Sequence, residues 1–152
     1  MTVSEAYDYL NQIRTTEKAM ARLELAIQQT YFSLYPGAVR YDKDRVNVSP
    51  DDPMAETFSK LDEMERELKR IYHNKAEYLR EIYQNIEQKM PEDSAAHIME
   101  KNVVVAYYIG RKSIAKISEE LNYSVQHVYR LRNSGVETFA EVMTDGNDTG
   151  LV

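Results

Sequence analysis

What most constrains this chain is where its helix-breaking residues fall. No proline or glycine occurs before Pro36-Gly37, none lies between Pro53 and Pro91, and the next is Gly110. Proline removes a backbone donor and clashes with the preceding turn, and glycine has the most backbone entropy to lose, so these two long stretches are free to be helical. In the first, Leu10, Ile13, Met20, Leu23, Ile27, Tyr31 and Leu34 recur at helical spacing, interrupted by Glu17. This predicts a helix over about 5–34, capped by Ser4, with Glu5 near the positive end of the helix dipole. At ~1.5 Å per residue it is roughly 45 Å long. In the second, Met54, Phe58, Leu61, Leu68, Tyr72, Leu79, Ile82 and Ile86 predict a helix over about 54–90, its seam broken by Glu65 and Lys75.

Neither helix buries its stripe alone, so the two are expected to pair as a long antiparallel hairpin across the loop 35–53. The seam is thin. Two hairpins from two copies of the chain, in a four-helix arrangement, bury more of it, which points to a homodimer. Tyr72, Tyr78 and Tyr83 are expected in the core or at its edge. The loop carries Asp42, Asp44, Asp51 and Asp52. They lack the alternate-ligand spacing and the glycine of a calcium loop, so no metal site is expected.

Pro91 can open a third helix at its first turn, with Glu92 and Asp93 beside it. The helix is read over 94–109, with Ile98, Val103, Val104, Tyr107, Tyr108 and Ile109 as its dense apolar set and Gly110 as its stop. Two short amphipathic patterns follow. Ile114, Ala115, Ile117 and Leu121 share one face, with small Ala115 suited to a close helix approach. Val125, Val128 and Leu131 form the second stripe. Between them, Asn122 suits a left-handed turn and Ser124 suits a helix N-cap. Two helices joined by a tight turn, the second basic, form the helix-turn-helix that enters a DNA major groove. Val136, Phe139, Ala140 and Val142 extend the stripe to about Met143, and 144–152 is expected to be a flexible tail.

The fold class read from the sequence is therefore all-α. Residues 1–90 make a helical hairpin for oligomerisation or partner binding, 91–143 a helix-turn-helix unit, and 144–152 a tail. The 152 residues suit one domain, or one small domain with an extended arm. There is no cysteine, which removes disulfides and thiolate metal sites. No apolar run is long enough to span a membrane and no secretory signal is evident, so the expected location is the cytoplasm. The net charge of −6 argues against a protein that coats nucleic acid indiscriminately. Its distribution matters more. Between Arg111 and Ser134, five basic residues outweigh Glu119 and Glu120 for a local charge of +3, leaving −9 elsewhere. Such a patch holds phosphates locally while the acidic body resists non-specific attachment.

No enzyme is expected. His73, His97 and His127 are scattered, no glycine-rich phosphate loop occurs, and no long-helix glutamate is followed three residues later by histidine, as a carboxylate metal site in a bundle requires. No cofactor is expected.

The sequence Val46-Asn-Val-Ser-Pro50 before Asp52-Pro-Met-Ala-Glu56, the long helical pair, and the C-terminal Ser113-Ile-Ala-Lys-Ile-Ser-Glu-Glu-Leu-Asn-Tyr-Ser-Val-Gln-His-Val-Tyr-Arg-Leu131 together resemble the ArpU/RinA-like phage regulators. The resemblance covers nearly the whole chain. It implies a sequence-specific DNA-binding regulator of phage late genes, an activator in a bacterial host cell, with a C-terminal unit similar to region 4 of sigma-70-type factors. Where that family has a small alanine, this chain has Gly135, a change that weakens a helix by roughly 1 kcal/mol and puts the continuity of the last helix in question.

On this reading Ser124, Val125, Gln126, His127, Arg130 and Asn133 face base edges, with Gln126 suited to adenine and Arg130 to guanine. Arg111, Lys112, Lys116 and Arg132 hold DNA phosphates. The partners are double-stranded promoter or operator DNA and, as a further candidate, host RNA polymerase. Two other classes fit the same residues less well. One is a helical phage packaging or scaffold protein of the small-terminase kind, and the other is a protein-binding adaptor.

Overall fold

A computed structural model describes residues 1–34 and 53–149, and those residues form helices and short connections. In chain order they are α1 (Val3–Leu10), α2 (Gln12–Leu34), α3 (Pro53–Lys89), α4 (Ala95–Val104), a π-helical turn (Val105–Ile109), α5 (Ile114–Leu121) and α6 (Val125–Thr149). The fold is all-α, as the helical periodicity predicts. The loop 35–52, with its acidic cluster Asp42, Asp44, Asp51 and Asp52, lies outside the described residues.

The expected first helix is two helices. α1 starts earlier than expected because Thr2, not Ser4, is its cap. The Thr2 hydroxyl accepts from the Glu5 N–H, and the Glu5 carboxylate accepts from the Thr2 N–H at 2.9 Å, a reciprocal capping box. α1 closes at Asn11, and α2 then runs to Leu34, just before Pro36. The long third element runs from Pro53 to Lys89 without a break, close to its predicted limits.

The described chain divides into two compact units, residues 16–75 and residues 1–15 with 76 onward. That division differs from the expected boundary at residue 90, and it places α1 and the end of α3 with the C-terminal helices. Within the 16–75 unit, Glu17 pairs with Lys75 at 3.1 Å, and Tyr72 donates to Glu24 at 3.0 Å. The two pairs run in opposite chain directions, as antiparallel helices require. Glu17 and Lys75, the charges that interrupt the two apolar stripes, thus neutralise each other. Met20, Leu34 and Leu61 are buried in this unit, whereas Leu25, Phe32 and Tyr72 are at least half exposed.

The other unit has one main core. Ala6, Leu10 and Ile13 meet Ile82, Ile86 and Met90 from α3, Val104 and Tyr108, and Val136, Phe139, Ala140 and Met143 from α6. Tyr9 stacks on Phe139 with ring centroids 5.8 Å apart and donates nothing to it; its hydroxyl instead accepts from Asn85 at 2.7 Å. Tyr78 packs against this core, and Tyr83 is exposed. A second cluster, Val103, Ile114, Ile117 and Val128, joins α4, α5 and the start of α6.

Two buried charges fasten these layers. The Glu100 carboxylate accepts from Ser134 at 2.5 Å and from Thr138 at 2.9 Å, tying α4 to α6. Lys101 is 4 % exposed; its Nζ donates to the Glu87 carbonyl at 3.1 Å and lies 3.0 Å from the Glu92 carboxylate. The end of α3 leaves carbonyl oxygens without helical partners, and this ammonium satisfies them in a favourable position for the helix dipole. Lys101→Met keeps most of the unbranched side chain and removes those bonds. The expected result is a loss of about 1–3 kcal/mol in unfolding free energy, read by urea titration.

The third helix begins just after Ser94, whose hydroxyl accepts from the His97 N–H at 3.1 Å; Pro91 does not open it but lies in the connection before it, because Ser94 supplies the cap. Beyond Val104 the helix widens into the π turn, where the Gly110 N–H donates to the Val105 carbonyl at 2.9 Å. A Cβ at Gly110 would stand 2.8 Å from the Ala106 carbonyl oxygen, so only glycine closes the turn unstrained. Arg111 then reverses the chain with φ 54°.

α6 corrects two expectations. It passes through Gly135 without a break and continues to Thr149, so residues 144–149 are helical and not a tail. Gly135 is needed for packing. A Cβ there would meet Val104 Cγ2 at 2.5 Å and the Glu100 carbonyl oxygen at 3.1 Å. The close helix approach expected at Ala115 is made here instead, and Ala115 is exposed.

Candidate nucleic-acid interface

α5 and α6 are joined by Asn122, Tyr123 and Ser124. Asn122 takes the left-handed conformation at φ 56°, ψ 38°, which asparagine tolerates better than most side chains. The Tyr123 N–H donates to the Ser118 carbonyl at 3.1 Å, and the Ser118 hydroxyl donates back to the Tyr123 carbonyl. Ser113 caps α5 and Ser124 caps α6, the latter accepting from the His127 N–H at 3.1 Å. Val128 is fully buried against Ile114, Ile117 and Val103, which fixes the rotation of α6 about its axis.

That rotation decides which residues point outward. Val125, Gln126, His127, Tyr129 and Arg130 are exposed on the first turns of α6. The His127 ring meets the Tyr123 ring edge-on with centroids 4.6 Å apart. The side chains of Gln126 and Arg130 make no hydrogen bond or ion pair with the described residues.

Four of the other residues expected here, Asn133, Arg132, Lys112 and Ser124, are already engaged. The Asn133 side-chain oxygen accepts from the Tyr7 hydroxyl at 2.9 Å and from Arg132 Nη2 at 3.0 Å, which ties α6 to α1. Arg132 is half-buried, its guanidinium 4.9 Å from the Tyr107 ring centre and 5.2 Å from that of Tyr129. Lys112 pairs with Glu120 at 2.7 Å, and that hydrogen bond holds the Glu120 carboxyl below its ordinary range. Lys116 is exposed on α5, and Arg111 is exposed at the reversal. Ser124 remains at the surface, but its hydroxyl is occupied by the cap.

A further residue supports the platform from behind. Arg14 donates to the Tyr107 carbonyl at 2.8 Å, and its guanidinium lies 3.9 Å from the centre of the Tyr107 ring. Tyr107 thus touches two guanidinium groups, one from α2 and one from α6. Its neighbour Tyr108 is 1 % exposed, and burial pushes its phenol up to about 12. Nothing in the local sequence marks Arg14, because its partner is 93 positions away.

The arrangement offers a protruding helix with a neutral amide, a guanidinium and two apolar side chains, flanked by cations. Among the described residues no three His, Cys, Asp or Glu side chains converge to hold a metal ion. No helix of the described residues is long and apolar enough to cross a membrane. Comparison with known proteins returns no match to a family model, to a curated protein or to a solved structure.

Proposed function

We propose that this protein is a sequence-specific DNA-binding transcriptional regulator that places the first turns of α6 in the major groove. The observation that carries the reading is the outward display of Gln126 and Arg130, uncommitted to the fold, on a helix anchored by a fully buried Val128. An amide and a guanidinium so placed match the paired donors and acceptors of adenine and guanine. Lys116 and Arg111 are placed for phosphates, and the N-terminal end of α6 adds its own positive dipole end. Asn133 and Arg132 belong to the support of the helix on this reading, and Ser124 to its cap.

The resemblance to phage late-gene regulators extends the proposal to activation of such genes in a bacterial host, with polymerase as a candidate second partner. The half-exposed Leu25 and Phe32 of the 16–75 unit favour self-association of that unit. A dimer would read two half-sites about 34 Å apart along the duplex.

The test is a mobility shift of the full chain on fragments from its own locus at two salt concentrations. Arg130→Ala is expected to lower affinity for the selected fragment by roughly 1–3 kcal/mol and to leave non-selected fragments nearly unchanged. Lys116→Ala is expected to weaken all fragments alike and to reduce the salt slope by about one. Equal, salt-sensitive shift of every fragment by the unaltered protein would reduce the reading to backbone attraction. No shift would refute it.

A further inference from the structure

α6 carries apolar residues at two kinds of position. Val128, Val136 and Phe139 are fully buried and Leu131 is half-buried, all facing the core. Val125 and Tyr129 also recur at helical spacing, yet they are 45 % and 44 % exposed. They are four residues apart, so they are neighbours on the helix surface, and Gln126 and Arg130 complete the same four-residue patch. The Arg132 guanidinium lies 5.2 Å from the Tyr129 ring centre and 4.9 Å from that of Tyr107. A small, preorganised apolar surface thus lies within the polar face offered for recognition.

Two side chains are far too few for a protein interface, which takes roughly 20–30 residues a side. The cation within the patch, Arg130, favours a polyanion. In the major groove of DNA only one base presents an apolar group, the 5-methyl of thymine. We propose that Val125 and Tyr129 form a seat for a thymine methyl group, so that the bound sequence carries an A·T pair at this contact beside the base read by Gln126. The inference rests on the DNA-binding reading above and adds a base identity to it.

The experiment uses a duplex enriched by the full chain from a randomised pool, with each thymine replaced in turn by deoxyuridine. Uracil keeps every hydrogen-bonding group of thymine and lacks only the methyl. At one or two positions the replacement is expected to weaken binding about four-fold, the ratio that corresponds to one buried methyl group. With Val125→Ala, an exposed position whose change leaves the core intact, that penalty is expected to shrink towards none. If every uracil duplex binds as tightly as its thymine parent while Arg130→Ala still abolishes selectivity, the methyl seat is wrong and the DNA-binding reading stands. A uracil penalty undiminished by Val125→Ala also overturns the seat, because the methyl is then read elsewhere. If no sequence is enriched from the pool, both proposals fall.

Discussion

Phe139→Ala is expected to remove about 3–5 kcal/mol of stability, enough to unfold much of the population of a domain of ordinary stability. Phe139 is fully buried in the middle of α6, at the junction of α1, α3 and α6, with Tyr9 stacked on its ring. Truncation deletes most of a large side chain and leaves a cavity in a core shared with Leu10 of α1 and Ile82 and Ile86 of α3, side chains on two different helices that cannot collapse together. Urea unfolding followed by circular dichroism reads the loss. The same variant is expected to lose DNA binding in proportion to its unfolded fraction, since the site itself is untouched. Phe139→Leu, which fills more of the space, is expected to retain most of the stability. An unfolding midpoint for Phe139→Ala close to that of the parent would show that the α1–α6 contact does not hold the unit together.

The second large effect runs against helix propensity. Alanine favours an unstrained helix over glycine by about 1 kcal/mol. Gly135→Ala is nevertheless expected to destabilise, and Gly135→Val to cost about 2–3 kcal/mol. The reason is the approach of α4. The new Cβ would overlap Val104 Cγ2, and Val104 is fully buried and stiff at χ1. It would also crowd the Glu100 carbonyl oxygen, which is backbone and moves only if α4 moves. Displacing α4 would in turn stretch the bonds from Ser134 and Thr138 to the Glu100 carboxylate. Combining Gly135→Ala with Val104→Ala relieves the side-chain overlap, so the pair is expected to cost less than the sum of the single changes, as measured by a thermodynamic cycle. A Gly135→Ala variant more stable than the parent would mean that propensity alone governs the position.

The elements that could be read from the sequence are those with local causes. The limits of α3 follow from Pro53 and Pro91, and the starts of α4, α5 and α6 from serine caps whose bonds are made three residues away. The left-handed turn at Asn122 is likewise a property of one residue and its neighbours. The features that could not be read depend on distant partners. The capping box at Thr2 is the exception: it is local and its signal lies in the Thr2–Glu5 spacing, but Ser4 stands closer to the apolar stripe. Gly135 read as a weak point because nothing nearby says that α4 crosses there. Asn133 reads as available for a base because the hydroxyl that fills its acceptor, that of Tyr7, lies 126 positions away in the sequence. Arg14 stands among helix-face residues and shows its role only once Tyr107 is beneath it. The outward set Val125, Gln126, His127 and Arg130 was legible because the inward position Val128 fixes their direction by helical period alone. Ala115 was assigned to a close approach by its size, which says nothing of which face turns inward.

The pairing of Tyr7 with Asn133 joins residues 126 positions apart. Seen from the ribosome, this is a delay. At roughly 5–20 residues per second, α1 waits about 6–25 seconds for the helix that covers it. During that interval Ala6, Leu10 and Ile13 have no α6 to pack on. A chain that ends before α6 is therefore expected to expose the apolar face of α1 that the finished chain buries.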